Sequence, residues 1–299
     1  MIARRQFLQV SGLALASLAG GSVWAKGAGK AKDDPSARWA AIERGSGGRL
    51  GVMLLDTDSG RRTGYRQDER FPMCSTFKFL LAAAVLKQVD AGKFGLAARV
   101  PIAVSDLLGN SPTTEQHVGT YGLSVAELCQ ATLIWSDNAA ANLLYPLIGG
   151  PTALTAFLRT IGDPSTRSDR LEPMLNDFGP GELRDTTTPA AMAGNLQRIL
   201  LGDVLSPASR RQLTGWLIDN RTGNARLRAG LPSGWKIGDK TGGNGEDTAN
   251  DIAIVWPSGG RAPLLLTSYL NGAKVDTAGQ NAAHRAVAQA VVASMGATG

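Results

Sequence analysis

The strand-like segments of this chain of 299 residues fall only near its two ends, and that restricts the fold most. Arg49–Asp56 (RLGVMLLD) reads as a strand, Ser59-Gly60 as a turn and Arg62–Tyr65 as a returning strand. The next strands are Trp235–Asp239, Ala249–Trp256 and Ala262–Leu270. Between them the pattern is helical. Phe77 to Leu86 is apolar nearly all round, which marks a helix buried centrally, ending at Asp90-Ala91-Gly92. Ser124-x-x-Glu127 is a capping box, and a helix over Asn138–Ile148 stops at Gly149-Gly150. Pro151, Pro189 and Pro207 suit first helical positions, with Thr188 and Ser206 as caps. Short and long helices at Ser36–Arg44 and Ala278–Met295 flank the whole. Strands so far apart must meet in one sheet, so the helical middle is an insertion. The expected class is α/β: an antiparallel sheet with flanking helices from both termini (36–70 and 220–299) and an inserted all-helical domain (71–219). A cleft between two such parts is where a ligand site is expected.

Residues 1–25 read as an export signal. Arg4 and Arg5 form a basic head, Phe7 to Ala19 an apolar middle, and Val23-Trp24-Ala25 a small-residue cleavage end. Arg4-Arg5-Gln6-Phe7-Leu8 is similar to a twin-arginine signal. The apolar run is short of the roughly 20 residues a bilayer span needs, and no Cys sits near the cleavage end to carry a lipid. The mature chain is expected to begin near Lys26, with 26–35 as a loose tail, and to be periplasmic or secreted without a membrane anchor. Two Cys exclude a disulfide-rich scaffold, and two His supply a zinc site poorly. The net charge of +6 raises nucleic acid or an acidic surface as a partner.

Three short motifs carry chemistry. In Ser75-Thr76-Phe77-Lys78, the serine and lysine share one face of the buried helix, at an N-terminus where backbone N–H groups favour negative charge. A neutral amine there could take the serine proton. Ser136-Asp137-Asn138 falls in a break between two helices and by itself reads as a cap cluster. Lys240-Thr241-Gly242 follows a strand and by itself reads as a hairpin edge leading into a turn with Gly243.

Together and in this order, the three motifs resemble the signature of the active-site-serine, penicillin-recognising enzymes. Over nearly all of 36–296 the chain resembles class A β-lactamases. Met73-Cys74-Ser75-Thr76-Phe77-Lys78, Ser136 to Leu144 and Arg184-Asp185-Thr186-Thr187-Thr188-Pro189 carry the likeness. So does Asp169-Arg170-Leu171-Glu172-Pro173-Met174-Leu175-Asn176, the loop that supplies the class with its hydrolytic carboxylate. The resemblance implies a serine β-lactam hydrolase (EC 3.5.2.6) acting on penicillins and cephalosporins through an acyl-enzyme. Ser75 would attack the lactam carbonyl, and Lys78, or Glu172 through water, would take its proton. Ser136 would relay a proton to the leaving nitrogen, and the N–H groups of Ser75 and Gly243 would form the oxyanion hole. Glu172 would activate the deacylating water with help from Asn176. Lys240 and Thr241 would bind the substrate carboxylate, and Asn138 the side-chain amide. The resemblance also implies a cis bond before Pro173 and an Arg170–Asp185 ion pair closing the loop.

Several positions depart from common family patterns. Ala249 stands where many relatives place a carboxylate-binding arginine. Arg226, within Thr222-Gly223-Asn224-Ala225-Arg226-Leu227-Arg228, matches a second family solution, with Arg228 beside it as a surface residue. Asn110 replaces a frequent aromatic, and Gly243 a frequent Thr, Ser or Ala. Cys74 and Cys129 lack the partners found in bridged relatives, where this chain has Asn244 and Ala82, so two unpaired buried thiols are expected. His117 and His284 are expected to be structural or surface residues, with no metal and no cofactor. A D,D-peptidase or a penicillin-binding sensor shares the first three motifs, but lacks the loop holding Glu172 and Asn176. Loss of Arg4 and Arg5 leaves a mature charge of +4, and Lys78, Lys240 and Arg226 would face one small carboxylate. The expected partner is thus a β-lactam bound by a monomer, not nucleic acid.

Overall fold

The computed structural model describes residues 34–295. The export signal and the tail up to residue 33 lie outside the described residues. Asp34 and Pro35, expected in the tail, belong to the fold. Asp34 accepts hydrogen bonds from the N–H and hydroxyl of Ser36, and the Pro35 carbonyl accepts the N–H groups of Arg38 and Trp39.

Helix α1 (Ser36–Ser46) leads into β1 (Arg49–Asp56) and β2 (Arg62–Tyr65). The short β3 (Phe71–Pro72) and a 3-10 turn at Cys74–Thr76 precede α2 (Phe77–Asp90). Then follow β4 (Arg99–Val100), β5 (Leu123–Ser124), α3 (Val125–Ile134), α4 (Asn138–Ile148) and α5 (Pro151–Thr160). Next come β6 (Thr186–Thr187), α6 (Pro189–Leu200) and α7 (Pro207–Ile218). The chain closes with β7 (Lys236–Gly243), β8 (Ala249–Trp256), β9 (Leu264–Asn271) and α8 (Thr277–Met295).

The two sets of strands meet in one antiparallel sheet of order β2-β1-β9-β8-β7, with β1 against β9. Alternation along each strand buries both faces. Leu50, Val52 and Leu54 of β1, Ala253 and Val255 of β8, and Leu264 and Leu266 of β9 join Trp39 of α1 and Val287 and Val291 of α8 in one core. The opposite-facing Leu55, Ile252, Ile254, Leu265 and Tyr269 join α2, α3, α4 and α6 in the other. Helix α2 lies inside that second core, with every side chain from Phe77 to Leu86 buried.

The caps follow the sequence reading. Ser124 and Glu127 form the reciprocal capping box, and Thr188 and Ser206 accept N–H bonds at the starts of α6 and α7. The segment 71–219 is not wholly helical. Its β3 pairs with β6 and its β4 with β5, in two-residue ladders too short to show as alternation. Strand β7 also runs past Asp239 to Gly243, so Lys240-Thr241-Gly242 lies within the strand, paired with β8, and not in a turn after it. Gly242 explains the extension: a Cβ there would lie 2.8 Å from the Met73 carbonyl oxygen and 3.0 Å from the Ser75 nitrogen. A strand without that side chain can lie flat against the turn that carries Ser75.

Candidate active site

Ser75 sits in the 3-10 turn, just before α2, after Cys74 in the left-handed region (φ 43°). The α-helix itself begins at Phe77, two residues later than the sequence suggests. One helical turn on, Lys78 is fully buried, and its ammonium donates to the Ser136 carbonyl (2.8 Å) and to Asn138 Oδ1 (2.5 Å). It also lies 3.2 Å from Glu172 Oε1. Burial pushes the Lys78 pKa down, and the Glu172 charge opposes that shift.

Ser136 ends the break between α3 and α4 in the left-handed region (φ 58°). Asp137 makes that break rigid. Its buried carboxylate caps α4 through Ala140 N–H and accepts the N–H groups of Thr113 and Thr114 and the Thr114 hydroxyl. Asn110, also left-handed (φ 59°), donates to the Ser136 carbonyl at 2.8 Å. On the other side Lys240, fully buried, donates to Ser136 Oγ at 3.0 Å and to the Thr241 carbonyl at 2.7 Å. Burial first, then the nearby Lys78 charge, hold the Lys240 pKa well below that of a free lysine. Ser136 Oγ thus lies between the two amines, 3.4 Å from Lys78 Nζ.

Glu172 is buried, with Oε1 accepting from Ser75 Oγ at 3.3 Å and Oε2 from Asn176 Nδ2 at 2.7 Å. Asn176 Oδ1 is buried and has no protein partner. The Glu172–Pro173 bond is cis. Arg170 Nε meets Asp185 Oδ2 at 2.6 Å, and Asp185 Oδ1 accepts the N–H groups of Asp169 and Arg170, which closes the loop at its base. Asn142 grips the Glu172 backbone from α4. Glu172 N–H donates to Asn142 Oδ1 (3.0 Å), and Asn142 Nδ2 donates to the Glu172 carbonyl (2.9 Å). Sequence reasoning gave Asn142 no role, although its place one turn after Asn138 puts it on the same helix face.

Thr241 Oγ1 lies 2.5 Å from Thr222 Oγ1. Arg226 reaches the inner end of β7 and β8, donating to the carbonyls of Gly242 (2.7 Å) and Asn250 (2.6 Å) and to Asn281 Oδ1 (3.0 Å). Its Nη2 lies 3.8 Å from where a Cβ on Gly243 would stand, and Ala249 pairs with Gly243 in the ladder. Arg228 is half-buried and not simply a surface residue. It is ion-paired with the buried Asp239, whose carboxylate also accepts from Asn220. Cys74 and Cys129 are both buried and unpaired, and burial raises both thiol pKa values. His284 is fully buried between β8, β9 and α8, whereas His117 is part-buried against Thr113. Among the described residues no His, Cys, Asp and Glu cluster could hold a metal. A cleft of about 870 Å³ lies beside the site, bordered by Asn176 and residues 177–183, and by Asn244, Glu246 and Asp247.

The structure therefore gathers Ser75, Lys78, Ser136, Asn138, Glu172, Asn176 and Lys240 in one place, with Thr241, Gly243 and Arg226 along the adjoining strand edge. A serine at the foot of a buried helix, two buried lysines and a buried carboxylate make this an active-site-serine hydrolase. The family described as the β-lactamase enzyme family matches residues 34–295. β-Lactamase L2 of Stenotrophomonas maltophilia is 56% identical over 283 residues, covering 92% of this chain and 93% of that protein. β-Lactamase CTX-M-8 of Citrobacter amalonaticus is 52% identical over 238 residues, covering 79% and 81%. Among solved structures, a β-lactamase from Xanthomonas campestris has a TM-score of 0.86 at 67% identity, covering 87% of this chain and 97% of that one. An ancestral class A β-lactamase has a TM-score of 0.84 at 58% identity, covering 86% and 98%. The chain belongs to the β-lactamase enzyme family and is a class A β-lactamase, a hydrolase of β-lactams.

Proposed function

We propose that this enzyme opens penicillins and cephalosporins through an ester on Ser75, conferring resistance to them. Ser75 Oγ attacks the lactam carbonyl while its proton passes to Lys78, held with a lowered pKa, or through water to Glu172. The developing oxyanion is met by the N–H groups of Ser75 and Gly243. Ser136, between Lys78 and Lys240, passes a proton to the lactam nitrogen as the C–N bond breaks. Lys240, Thr241 and Arg226 hold the substrate carboxylate, and Asn138 its side-chain amide. Glu172 then takes a proton from a water oriented by Asn176, and that water attacks the ester and frees Ser75.

One observation carries this reading. Glu172 Oε1 is 3.3 Å from Ser75 Oγ and 3.2 Å from Lys78 Nζ, while Asn176 holds the other carboxylate oxygen and keeps a buried, unpartnered Oδ1 beside it. An unsatisfied buried carbonyl next to a buried carboxylate suits an ordered water. Residue roles, the boundaries of the two parts (36–70 with 220–299, and 71–219), a monomeric state and the lack of a nucleic-acid partner or membrane anchor belong to this proposal. So does export through a twin-arginine signal over 1–25. No helix among the described residues is long and apolar enough to cross a membrane. The test is Glu172→Ala incubated with a penicillin. Intact-protein mass spectrometry should show a persistent adduct on Ser75, and no adduct in a folded variant would falsify the deacylating role.

A further inference from the structure

We infer that Asn250 is a positioning residue for the nucleophile turn and the oxyanion hole. Asn250 lies in β8, has no exposed surface, and pairs in the ladder with Gly242. Its side chain does not serve the sheet. The two N–H bonds of its amide go to consecutive carbonyls, Pro72 at 2.9 Å and Met73 at 3.1 Å. Those carbonyls immediately precede Cys74 and Ser75. The Met73 carbonyl also accepts the Thr76 N–H (3.2 Å) and the Thr76 hydroxyl (2.8 Å), both from within the turn, so on this carbonyl Asn250 is the donor that comes from outside it. The amide orientation is fixed, because a flipped side chain would face oxygen against two carbonyl oxygens. In this orientation Asn250 Oδ1 is left buried with no partner. Burying a polar group half-satisfied costs free energy, a cost an apolar side chain would not carry at Oδ1. The cost is accepted at this position for something else.

That something is the spacing between two backbone segments. Ser75 N–H lies on the turn, and Gly243 N–H lies on β7. Only Gly242 fits between them, its absent Cβ 2.8 Å from the Met73 oxygen and 3.0 Å from the Ser75 nitrogen. Asn250 grips the turn with its side chain, while its own carbonyl, with that of Gly242, is held by Arg226. One residue thus ties the nucleophile turn, the strand carrying the second oxyanion donor, and the arginine at the carboxylate end. The left-handed Cys74 makes the tie necessary, since a non-glycine residue there tends to relax. This inference rests on the proposed roles of Ser75 and Gly243.

The test compares Asn250→Leu, which keeps the branched shape and removes both donors, with the parent enzyme. Asn250→Gly serves as a second variant that adds no bulk if the leucine form fails to fold. Well below the melting temperature of each variant, kcat/KM for a chromogenic cephalosporin reports acylation, and a boronic acid reports binding of a tetrahedral adduct. Displacement of the donors should lower kcat/KM by about tenfold to 100-fold and weaken the boronic acid in proportion, with little change in binding of the intact substrate to a Ser75→Gly background. A folded variant that only loses thermal stability, with kcat/KM within twofold of the parent, overturns the inference. Mass spectrometry of Glu172→Ala with a penicillin separates the two readings. A folded Glu172→Ala enzyme that forms no Ser75 ester overturns the proposed function and this inference together, whereas an ester on Ser75 in that variant with unaffected kinetics in the Asn250 variants overturns this inference alone.

Discussion

His284 should make the folded enzyme acid-sensitive from a pH above that at which surface carboxylates titrate. Its ring is fully buried, with Nε2 2.9 Å from the Ala249 carbonyl and Nδ1 2.8 Å from Ser268 Oγ. A carbonyl only accepts, so Nε2 carries the proton and Nδ1 accepts from Ser268. Burial, reinforced by the Arg226 charge, lowers the His284 pKa from 6.5 to about 3. The folded pKa is depressed, so below pH 6.5 the unfolded chain binds a proton that the folded chain refuses down to about pH 3. Stability is therefore full above that window and declines through it by about 1.4 kcal/mol per pH unit. Between pH 7.5 and 5 the loss is about 2 kcal/mol, or roughly 4 °C in Tm for a domain of about 260 residues. The buried Asp239 and Asp251 act with opposite sign. Burial raises both of their pKa values, so the folded state holds protons there that the unfolded chain has released. The raw acid profile mixes these effects, and the difference between the parent and His284→Gln isolates the histidine. Glutamine keeps an N–H donor and does not titrate. Urea denaturation at pH 7.5 and pH 5 should show the advantage of the parent over the variant shrinking by about 2 kcal/mol. An advantage that stays constant within about 0.5 kcal/mol would mean that His284 titrates alike in both states, and the reasoning from burial and Arg226 fails.

Replacing Arg226 with alanine should lower kcat/KM about 10- to 100-fold for substrates bearing the carboxylate, the worth of one charged hydrogen-bonding group. Lysine should not restore it, because three acceptors on Gly242, Asn250 and Asn281 need a planar fork. Asp185→Ala removes the ion pair with Arg170 and two N–H acceptors at the base of the loop. Urea unfolding should show a loss of about 3 kcal/mol, and a steady-state acyl-enzyme should appear by mass spectrometry because the base is misplaced. The native enzyme should show almost no thiol reactive toward a colorimetric disulfide reagent, and the unfolded, unreduced enzyme two thiols. Titration of fewer than two after unfolding would reveal a bridge between Cys74 and Cys129.

How much of the site was legible depends on how local each signal is. Glu172 and Asn176 were legible through the resemblance of their loop to that of class A enzymes, whereas Ser75 and Lys78 share a helix turn, so spacing suggested that they meet. The split strands fixed the sheet for the same kind of reason: few arrangements bury Leu50, Val52 and Leu54 on one side and Leu265 and Tyr269 on the other. What could not be read were contacts between backbones distant in sequence. Lys240-Thr241-Gly242 looks like a turn because two adjacent glycines usually make one. Here Gly242 is demanded by the Met73 carbonyl and Ser75 nitrogen, from a segment more than 160 residues earlier. Arg228 looked exposed because nothing near it in the sequence shows that Asp239, on a strand eleven residues on, is buried and needs a cation. Asn142 and Asn250 went unassigned for the same reason: each grips the backbone of a segment whose position only the fold supplies. The sequence thus exposes the residues that react, since their chemistry demands particular side chains. It hides those that hold them, since a backbone carbonyl asks only for a donor, and the fold decides which residue provides it.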